Sequence, residues 1–235
     1  MKKHLTFLLS PDSPAKGLLS RHATKKERFG AIPWLAVFPL YLLAYFAVEA
    51  IVPLEDYWVS YLPLDDYIPF VEQYVVFYVM WYALLAITGL YLLLFNGEGL
   101  KKYCAFIGIG FFTVLIFSLF FPNGQDLRPD LATLGRENFF THILEGIYSA
   151  DTNTNVIPSM HVIGCFGIMF AFWDARELRP LKWPAPLMTF LCVNVILSTT
   201  FVKQHSILDT FTAIPFSILV YLLVYKVIFR KKKMK

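Results

Sequence analysis

The chain has 235 residues, of which 57% are hydrophobic, 17% aromatic and only 16% charged, and its formal net charge is +4. This composition excludes an ordinary soluble domain, in which about 25% of the residues are charged. Several apolar runs approach the ~20 helical residues that cross a hydrocarbon core of about 30 Å. We therefore expect an all-α integral membrane protein that contacts the lipid bilayer and binds no nucleic acid.

Six apolar runs predict six transmembrane helices. The runs cover residues 31–52, 70–95, 103–121, 158–173, 186–202 and 207–229. They define a membrane domain at residues 31–229, which follows a basic cytoplasmic segment at 1–30 and precedes a basic cytoplasmic tail at 230–235. The expected fold is a six-transmembrane-helix bundle.

The connection at residues 122–157 is long for a membrane bundle. Its apolar side chains recur at near-helical spacing, at Phe139, Phe140, Ile143, Leu144 and Ile147. This pattern predicts a short interfacial helix between the third and fourth spans, which either lies over a functional site or simply packs on the bundle.

The distribution of Lys and Arg predicts the orientation, because cytoplasmic loops keep these residues and exported loops lose them. Both ends of the chain are basic, so both termini are predicted to be cytoplasmic. Residues 49–72 contain no Lys or Arg and are predicted to lie outside. We expect a multi-pass protein of the cell membrane, whose exoplasmic face receives the ends of the third and fifth helices and the starts of the fourth and sixth.

The fourth predicted helix begins with Pro158, Ser159, Met160 and His161. Proline suits the first turn of a helix, and the free backbone amides there, together with the Ser159 hydroxyl, can bind an anion such as phosphate. The alternative interpretation is a capped helix with a histidine at the membrane interface.

His205 and Asp209 are four residues apart, which is one helical turn, so their side chains share a face. The carboxylate can hold one ring nitrogen of the histidine while the other points away, as in a hydrolytic triad. The pair is therefore a candidate nucleophile or base. A purely structural pair at the start of a helix is the alternative.

Arg128, followed by Pro129, lies just beyond the third predicted helix. Its planar guanidinium can hold two phosphate oxygens at once. Few cations remain on the predicted outer side, where Lys203 is the only lysine. Possible contacts to a substrate are Gln125, Asp151 and Asn155.

In this order, the three fragments resemble the type 2 phosphatidic acid phosphatase superfamily, whose soluble relatives include vanadium haloperoxidases. The family motifs are a lysine, six residues and Arg-Pro; then Pro-Ser-Gly-His; then Ser-Arg, five residues, His, three residues and Asp. The matching residues are Arg128, Pro129, Pro158, Ser159, His161, Ser198, His205 and Asp209. Phe121, Met160 and Thr199 stand where the family has lysine, glycine and arginine.

The resemblance implies a metal-independent and cofactor-free reaction. His205 would attack phosphorus and form a phosphohistidine, Asp209 would orient it, and His161 would protonate the departing alkoxide. The phosphate-binding residues would be Arg128, Ser159, Met160 and Ser198, with Lys203 in place of the missing cations.

The predicted function is therefore that of an integral membrane phosphatase, which hydrolyses a lipid phosphate or diphosphate ester at the exoplasmic face. A lipid phosphotransferase of the sphingomyelin or inositol phosphorylceramide synthase type is the first alternative, because two expected cations are missing. A non-catalytic protein that binds or transports phospholipids is the second. The sequence predicts neither the lipid nor the oligomeric state.

Overall fold

The computed structural model describes residues 25–51 and 57–230. Most of the basic amino-terminal segment and of the basic tail lies outside these described residues. The helices are α1 (Lys25–Ala31), α2 (Val37–Glu49), α3 (Val75–Phe95), α4 (Gly97–Phe120), α5 (Phe139–Ala150), α6 (Met160–Asp174), α7 (Pro184–Phe201) and α8 (Ile207–Tyr221). A 3-10 turn (Ile32–Ala36) joins α1 to α2, and a π-helix (Leu222–Ile228) continues α8. Shorter 3-10 turns cover Pro63–Asp66, Glu72–Tyr74, Leu131–Leu134 and Arg176–Leu178.

Five helical segments of the described chain are long and apolar enough to span a membrane, and α6 is a shorter apolar helix of 15 residues. The prediction of an all-α membrane bundle is confirmed. The predicted orientation and the number of crossings stay predictions.

The short helix α6 packs against α3, α4, α7 and α8. Nine of its residues are buried, whereas the first span, α1 and α2, lies at the edge and exposes Leu40, Leu43 and Phe46. Exposed apolar side chains suit contact with lipid tails. The core of the bundle therefore forms around α6.

The predicted start of the third helix at residue 103 is wrong. Helix α4 begins at Gly97, and Asn96 alone separates it from α3. The Asn96 side chain caps α4 by accepting from the Gly99 amide at 2.7 Å. Lysines interrupt the apolar run here but not the helix, because the Lys102 ammonium reaches the Asp174 carboxylate at 2.7 Å.

Three loops meet at one end of the bundle. Strand β1 (Trp58–Val59) pairs in parallel with β2 (Asn123–Gly124), and Gly124 also forms an antiparallel bridge with Thr154. A Cβ atom at Gly124 would lie 2.5 Å from the Tyr57 ring, so this contact requires glycine. The pairing connects the loops that follow the first span, follow α4 and precede α6.

A helix is present in the long connection, as the spacing of its apolar residues predicted. Helix α5 starts at the N-cap Asn138, which accepts from the amides of Phe140 and Thr141. Its buried Leu144 packs in a cluster with Tyr78 of α3. The interfacial position of α5 stays a prediction.

Candidate active site

His205 and Asp209 form a buried pair at the start of α8. Ser206 is the N-cap, and its amide donates to Asp209 Oδ2 at 3.0 Å. The same oxygen lies 3.0 Å from His205 Nδ1, and Asp209 Oδ1 accepts from the Ser60 hydroxyl at 2.5 Å. Because an ionised carboxylate only accepts, Nδ1 of His205 carries the proton. In the tautomer with a single proton on Nδ1, Nε2 holds an electron pair and can accept a hydrogen bond.

The two histidines of the separate motifs meet in space. His161 Nδ1 lies 3.2 Å from His205 Nε2. Since Nε2 of His205 is the acceptor, Nδ1 of the neutral His161 ring is the donor. The rings are 8% and 7% exposed, respectively, so both are largely shielded from water.

The ring of His161 packs against two aromatic side chains of α3. Its centroid lies 4.6 Å from that of Tyr78 and 4.4 Å from that of Trp81. Trp81 approaches α6 this closely because Gly164 has no side chain, and a Cβ there would lie 2.7 Å from the indole nitrogen. The packing limits the rotation of His161, which orients Nδ1.

A cavity of about 870 Å³ opens beside the histidines. Its polar end contains His161, His205, Gln204 and Asp151. Its apolar arm runs between the first span and α3. This arm is lined among others by Leu35, Phe38, Tyr82, Leu90 and Leu93.

Ser159 and Met160 begin α6 beside this cavity. Ser159 is the buried N-cap, whose hydroxyl accepts from the Val162 amide at 3.5 Å and whose own amide donates to the Asp209 carbonyl at 3.2 Å. Met160 lines the cavity, and its sulfur accepts from the Tyr41 hydroxyl at 2.8 Å. The start of α6 is thus fixed to the start of α8, which brings the second and third motifs together.

Arg128 holds the loop before α6 against the residue that precedes His205. Its guanidinium donates to the carbonyls of Tyr148, Asp151 and Thr152 at 3.3, 3.0 and 2.7 Å, and also to Gln204 Oε1. Burial lowers the pKa of Arg128 from its usual value. Arg128 does not line the cavity. The Gln204 side chain lies between its positive charge and the cavity.

A sequence profile of the PAP2 superfamily matches residues 99–233, which is more than half of the chain. The chain belongs to the PAP2 superfamily. The matched part contains Arg128, His161, His205 and Asp209. No curated protein and no solved structure matches the chain.

Six predicted site residues of this PAP2 protein lie outside the cavity lining, namely Asp209, Arg128 and Ser159, described above, and Lys203, Ser198 and Gln125. The Lys203 ammonium donates to the carbonyls of Asp65 and Ile68 at 2.9 and 2.6 Å, and burial lowers its pKa. The Ser198 hydroxyl donates to the Val195 carbonyl of its own helix at 2.6 Å. The Gln125 amide nitrogen donates to the Lys203 carbonyl at 3.1 Å.

The other two proposed substrate contacts, Asp151 and Asn155, do line the cavity. Gln204 was not predicted as a site residue, although its position directly before His205 could have indicated that it lies at the site. Ser60 and Asp65 were not predicted either, since residues 49–72 were interpreted only as a loop on the outer face. Asp65 is buried, accepts from the Ser206 hydroxyl at 2.6 Å and so supports the N-cap beside His205.

No group of three or more His, Cys, Asp or Glu side chains within residues 25–51 and 57–230 is arranged to hold a metal ion.

Proposed function

We propose that this PAP2 protein cleaves a lipid phosphate ester through a phosphohistidine intermediate on His205. The supporting observation is the hydrogen-bonded row of Asp209, His205 and His161, in which Nδ1 of His205 contacts Asp209 and Nε2 points toward His161, away from Asp209. The entering phosphoryl group must displace the contact between the two rings. The two rings then flank the phosphoryl group, with His205 as the nucleophile and His161 as the acid.

The proposed reaction has two steps. His161 first binds a second proton and becomes an imidazolium. The electron pair of His205 Nε2 then forms a bond to phosphorus, the ester P–O bond breaks, and the departing alkoxide takes the proton from His161 Nδ1, which leaves the His161 ring neutral. Water then attacks phosphorus while His161 accepts its proton, the N–P bond breaks, and phosphate leaves. Asp209 stabilises the positive charge that His205 acquires in between.

The negative charge of the phosphoryl group needs stabilisation as the bonds change. The start of α6 at Met160 faces the cavity, and the backbone amides of a helix start attract an anion. The buried guanidinium of Arg128 adds a positive charge close behind the polar end. We propose that these groups replace much of the hydration of the phosphoryl oxygens.

The apolar arm supports a lipid substrate. Its lining side chains belong to the first span and α3, and apolar side chains outnumber polar ones along it. An amphipathic ester can place its phosphorus at His205 and its tail between these helices. We also propose that the site opens to the exoplasmic face of the cell membrane, as the charge distribution predicted.

Transfer of the phosphoryl headgroup to a lipid alcohol is the second candidate. No Lys or Arg is among the residues that line the described cavity. Where the family has cations, Phe121 packs on Trp58 with ring centroids 5.7 Å apart, and Thr199 donates to the Ile196 carbonyl at 2.8 Å. A site with few cations suits the single charge of a phosphodiester better than the two charges of a monoester.

A radiolabelled panel tests the proposal. The purified full chain in nanodiscs receives phosphatidate, an isoprenoid diphosphate and a phosphodiester lipid, each labelled at phosphorus. We expect alkali-stable, acid-labile label on the protein, together with free phosphate. His205→Asn should abolish both and lower turnover by at least about 10³-fold.

His161→Asn separates the acid from the nucleophile. With a nitrophenyl phosphate ester, whose leaving group needs no proton, this variant should still label His205. With the lipid ester it should not, because the alkoxide then departs unprotonated. His142→Asn is the matched control, since His142 is an exposed histidine of α5 outside the cavity lining.

The outcomes distinguish the candidates. Free phosphate from phosphatidate or the diphosphate, or a phosphomonoester from the phosphodiester lipid, supports hydrolysis, and a new phosphodiester after addition of diacylglycerol or ceramide supports transfer. No turnover of any panel member, with equal lipid binding by wild type and His205→Asn, would contradict both and favour a non-catalytic lipid-binding protein.

A further inference from the structure

A second, smaller cavity lies between the end of α6 and the start of α7. Its volume is about 270 Å³, and its lining includes the apolar Leu178 and Leu181 and the charged Arg179 and Lys182. Helix α6 has 15 residues and begins beside His161, so roughly 20 Å separates its two ends. The second cavity is therefore at the end of the bundle opposite the two histidines.

The two cations of the second cavity have no anionic partner. Neither the Arg179 guanidinium nor the Lys182 ammonium forms a hydrogen bond or an ion pair within the described part of the chain. Both side chains are exposed, and both line the same small cavity. A ligand in this cavity therefore meets two positive charges that no described carboxylate neutralises.

The acidic residues nearest in the sequence are bound to other helices. Asp174 accepts from the Lys102 ammonium of α4 at 2.7 Å. Glu177 accepts from the Tyr91 hydroxyl at 3.0 Å and from the Asn96 amide at 2.9 Å. Neither carboxylate lines the second cavity. The segment thus directs its negative charges into the bundle and leaves its positive charges at the cavity.

Exposed apolar side chains continue from the second cavity along α7, which is long and apolar enough to span a membrane. Trp173 lines the cavity and is 58% exposed, and its indole N–H donates to the Thr189 hydroxyl at 2.9 Å. Leu187 and Phe190 are three residues apart on α7 and are also exposed. Tryptophan favours the level of the lipid head groups, whereas leucine and phenylalanine suit the tails.

This combination selects among anionic ligands. The guanidinium of Arg179 can hold two phosphate oxygens at once, and Lys182 adds a point charge. Basic cavities between membrane helices bind anionic head groups. A free phosphate ion would use the cations alone, whereas a phospholipid would also cover the exposed side chains of α7. No His, Cys, Ser, Asp or Glu lines the described cavity, so a bound lipid meets none of the groups proposed to react at the other end.

We propose that Arg179 and Lys182 bind the phosphate group of an anionic phospholipid, which is retained and not converted. Its tails lie along the exposed face of α7, and its head group lies between the end of α6 and the start of α7. The bound lipid therefore stabilises the junction of these two helices. The inference goes beyond the proposed reaction, which takes place at the opposite end of α6.

Lipid retention measures this binding. The purified full chain carrying His205→Asn, which prevents turnover, is mixed in detergent with phosphatidylglycerol or with phosphatidylcholine of identical tails. Native mass spectrometry then counts the lipids that stay bound. We expect one phosphatidylglycerol to bind at least about tenfold more tightly than phosphatidylcholine, since each cation near a lipid phosphate contributes about 1 kcal/mol. Millimolar inorganic phosphate should not displace it.

Two variants in the same background locate the site. Arg179→Gln combined with Lys182→Gln removes both charges and should abolish the preference for phosphatidylglycerol. Ala185→Leu keeps both charges but fills part of the cavity that Ala185 lines, and it should weaken binding as well. Arg176→Gln is the matched control, because Arg176 is exposed, has no described ion-pair partner and does not line the cavity.

The outcomes decide the proposal. An unchanged preference in the double variant would overturn it, and so would an equal loss in Arg176→Gln, which would indicate diffuse surface charge. Displacement by inorganic phosphate would assign the cavity to a free anion instead. With His205 restored, the double variant should turn over short-chain substrate within about threefold of wild type. Absence of turnover in the wild type would contradict the proposed function and leave the retained lipid standing.

Discussion

The parts of the chain before and after residue 99 contribute differently to the site. The part that matches the PAP2 superfamily contains the proposed reacting groups, His161, His205 and Asp209. The described residues before it support these groups, because Ser60 donates to Asp209 and Trp81 packs against His161.

The residues that line the cavity also come from both parts of the chain. Its apolar arm lies between the first span and α3, both of which precede the matched residues. The histidines at its polar end belong to the matched part. Under the proposed function, the reacting groups belong to the matched part and much of the apolar lining precedes it, although Phe111, Ile143 and Ile147 of the matched part also line the cavity, so chemistry and lipid fit can be altered separately.

The largest effect is expected inside the matched part. Asp209→Asn keeps the size of the side chain and an acceptor for the Ser206 amide but removes the charge that stabilises phosphorylated His205. We expect kcat to fall by about 10³-fold, with little change in KM. Steady-state kinetics on the labelled lipid checks this, with gel filtration and the unfolding midpoint as evidence of folding.

Ser60→Ala tests a supporting residue in the part of the chain before residue 99, and its effect on kcat should be smaller. It removes one hydrogen bond to Asp209, and a loss of about 1 to 1.5 kcal/mol corresponds to about tenfold in kcat. Wild-type kcat in Asp209→Asn would contradict the role of this carboxylate. Equal losses in both variants would erase the distinction between reacting and supporting segments.

A smaller and selective effect is expected in the apolar arm. Gly89 of α3 lines the cavity, and a Cβ atom there would meet nothing within 4 Å. Gly89→Leu should therefore fill part of the arm and lower kcat/KM for long-chain substrates by about tenfold relative to short-chain ones. Rates across a series of tail lengths provide the measurement.

Gly89→Ala is the matched control, because one methyl group fills little of the arm and alanine suits a helix better than glycine. It should keep the wild-type preference for tail length. An unchanged preference in Gly89→Leu as well would show that the tail does not occupy this arm.

Much of the fold followed from the sequence because a membrane helix has a simple local signal, a long apolar run. The signal failed at the start of α4, where Lys101 and Lys102 interrupt the run, while Lys102 in the helix finds a partner in Asp174. A local sequence pattern cannot identify a salt-bridge partner that lies so far away in the chain.

The site shows the same limit. The four-residue spacing of His205 and Asp209 predicts their shared face, and the structure pairs them at 3.0 Å. The contact of Ser60 with Asp209 depends instead on the pairing of β1 with β2, which joins loops far apart in the chain. The hydrogen bonds of Lys203 to a distant loop likewise have no signature in its neighbourhood.

The smallest effect on catalysis is expected at Lys203. Its ammonium is bound by the carbonyls of Asp65 and Ile68, so it fixes their loop instead of facing the cavity. Lys203→Asn removes the ammonium and keeps a residue that tolerates the φ of 53° found there. We expect a lower unfolding midpoint, since hydrogen bonds from a charged donor contribute about 1.5 to 3 kcal/mol, and a change in kcat/KM below about threefold. A large rise in KM at an unchanged midpoint would instead make Lys203 a phosphate ligand, in addition to the charge of Arg128 and the backbone amides at the start of α6 that we propose for this role.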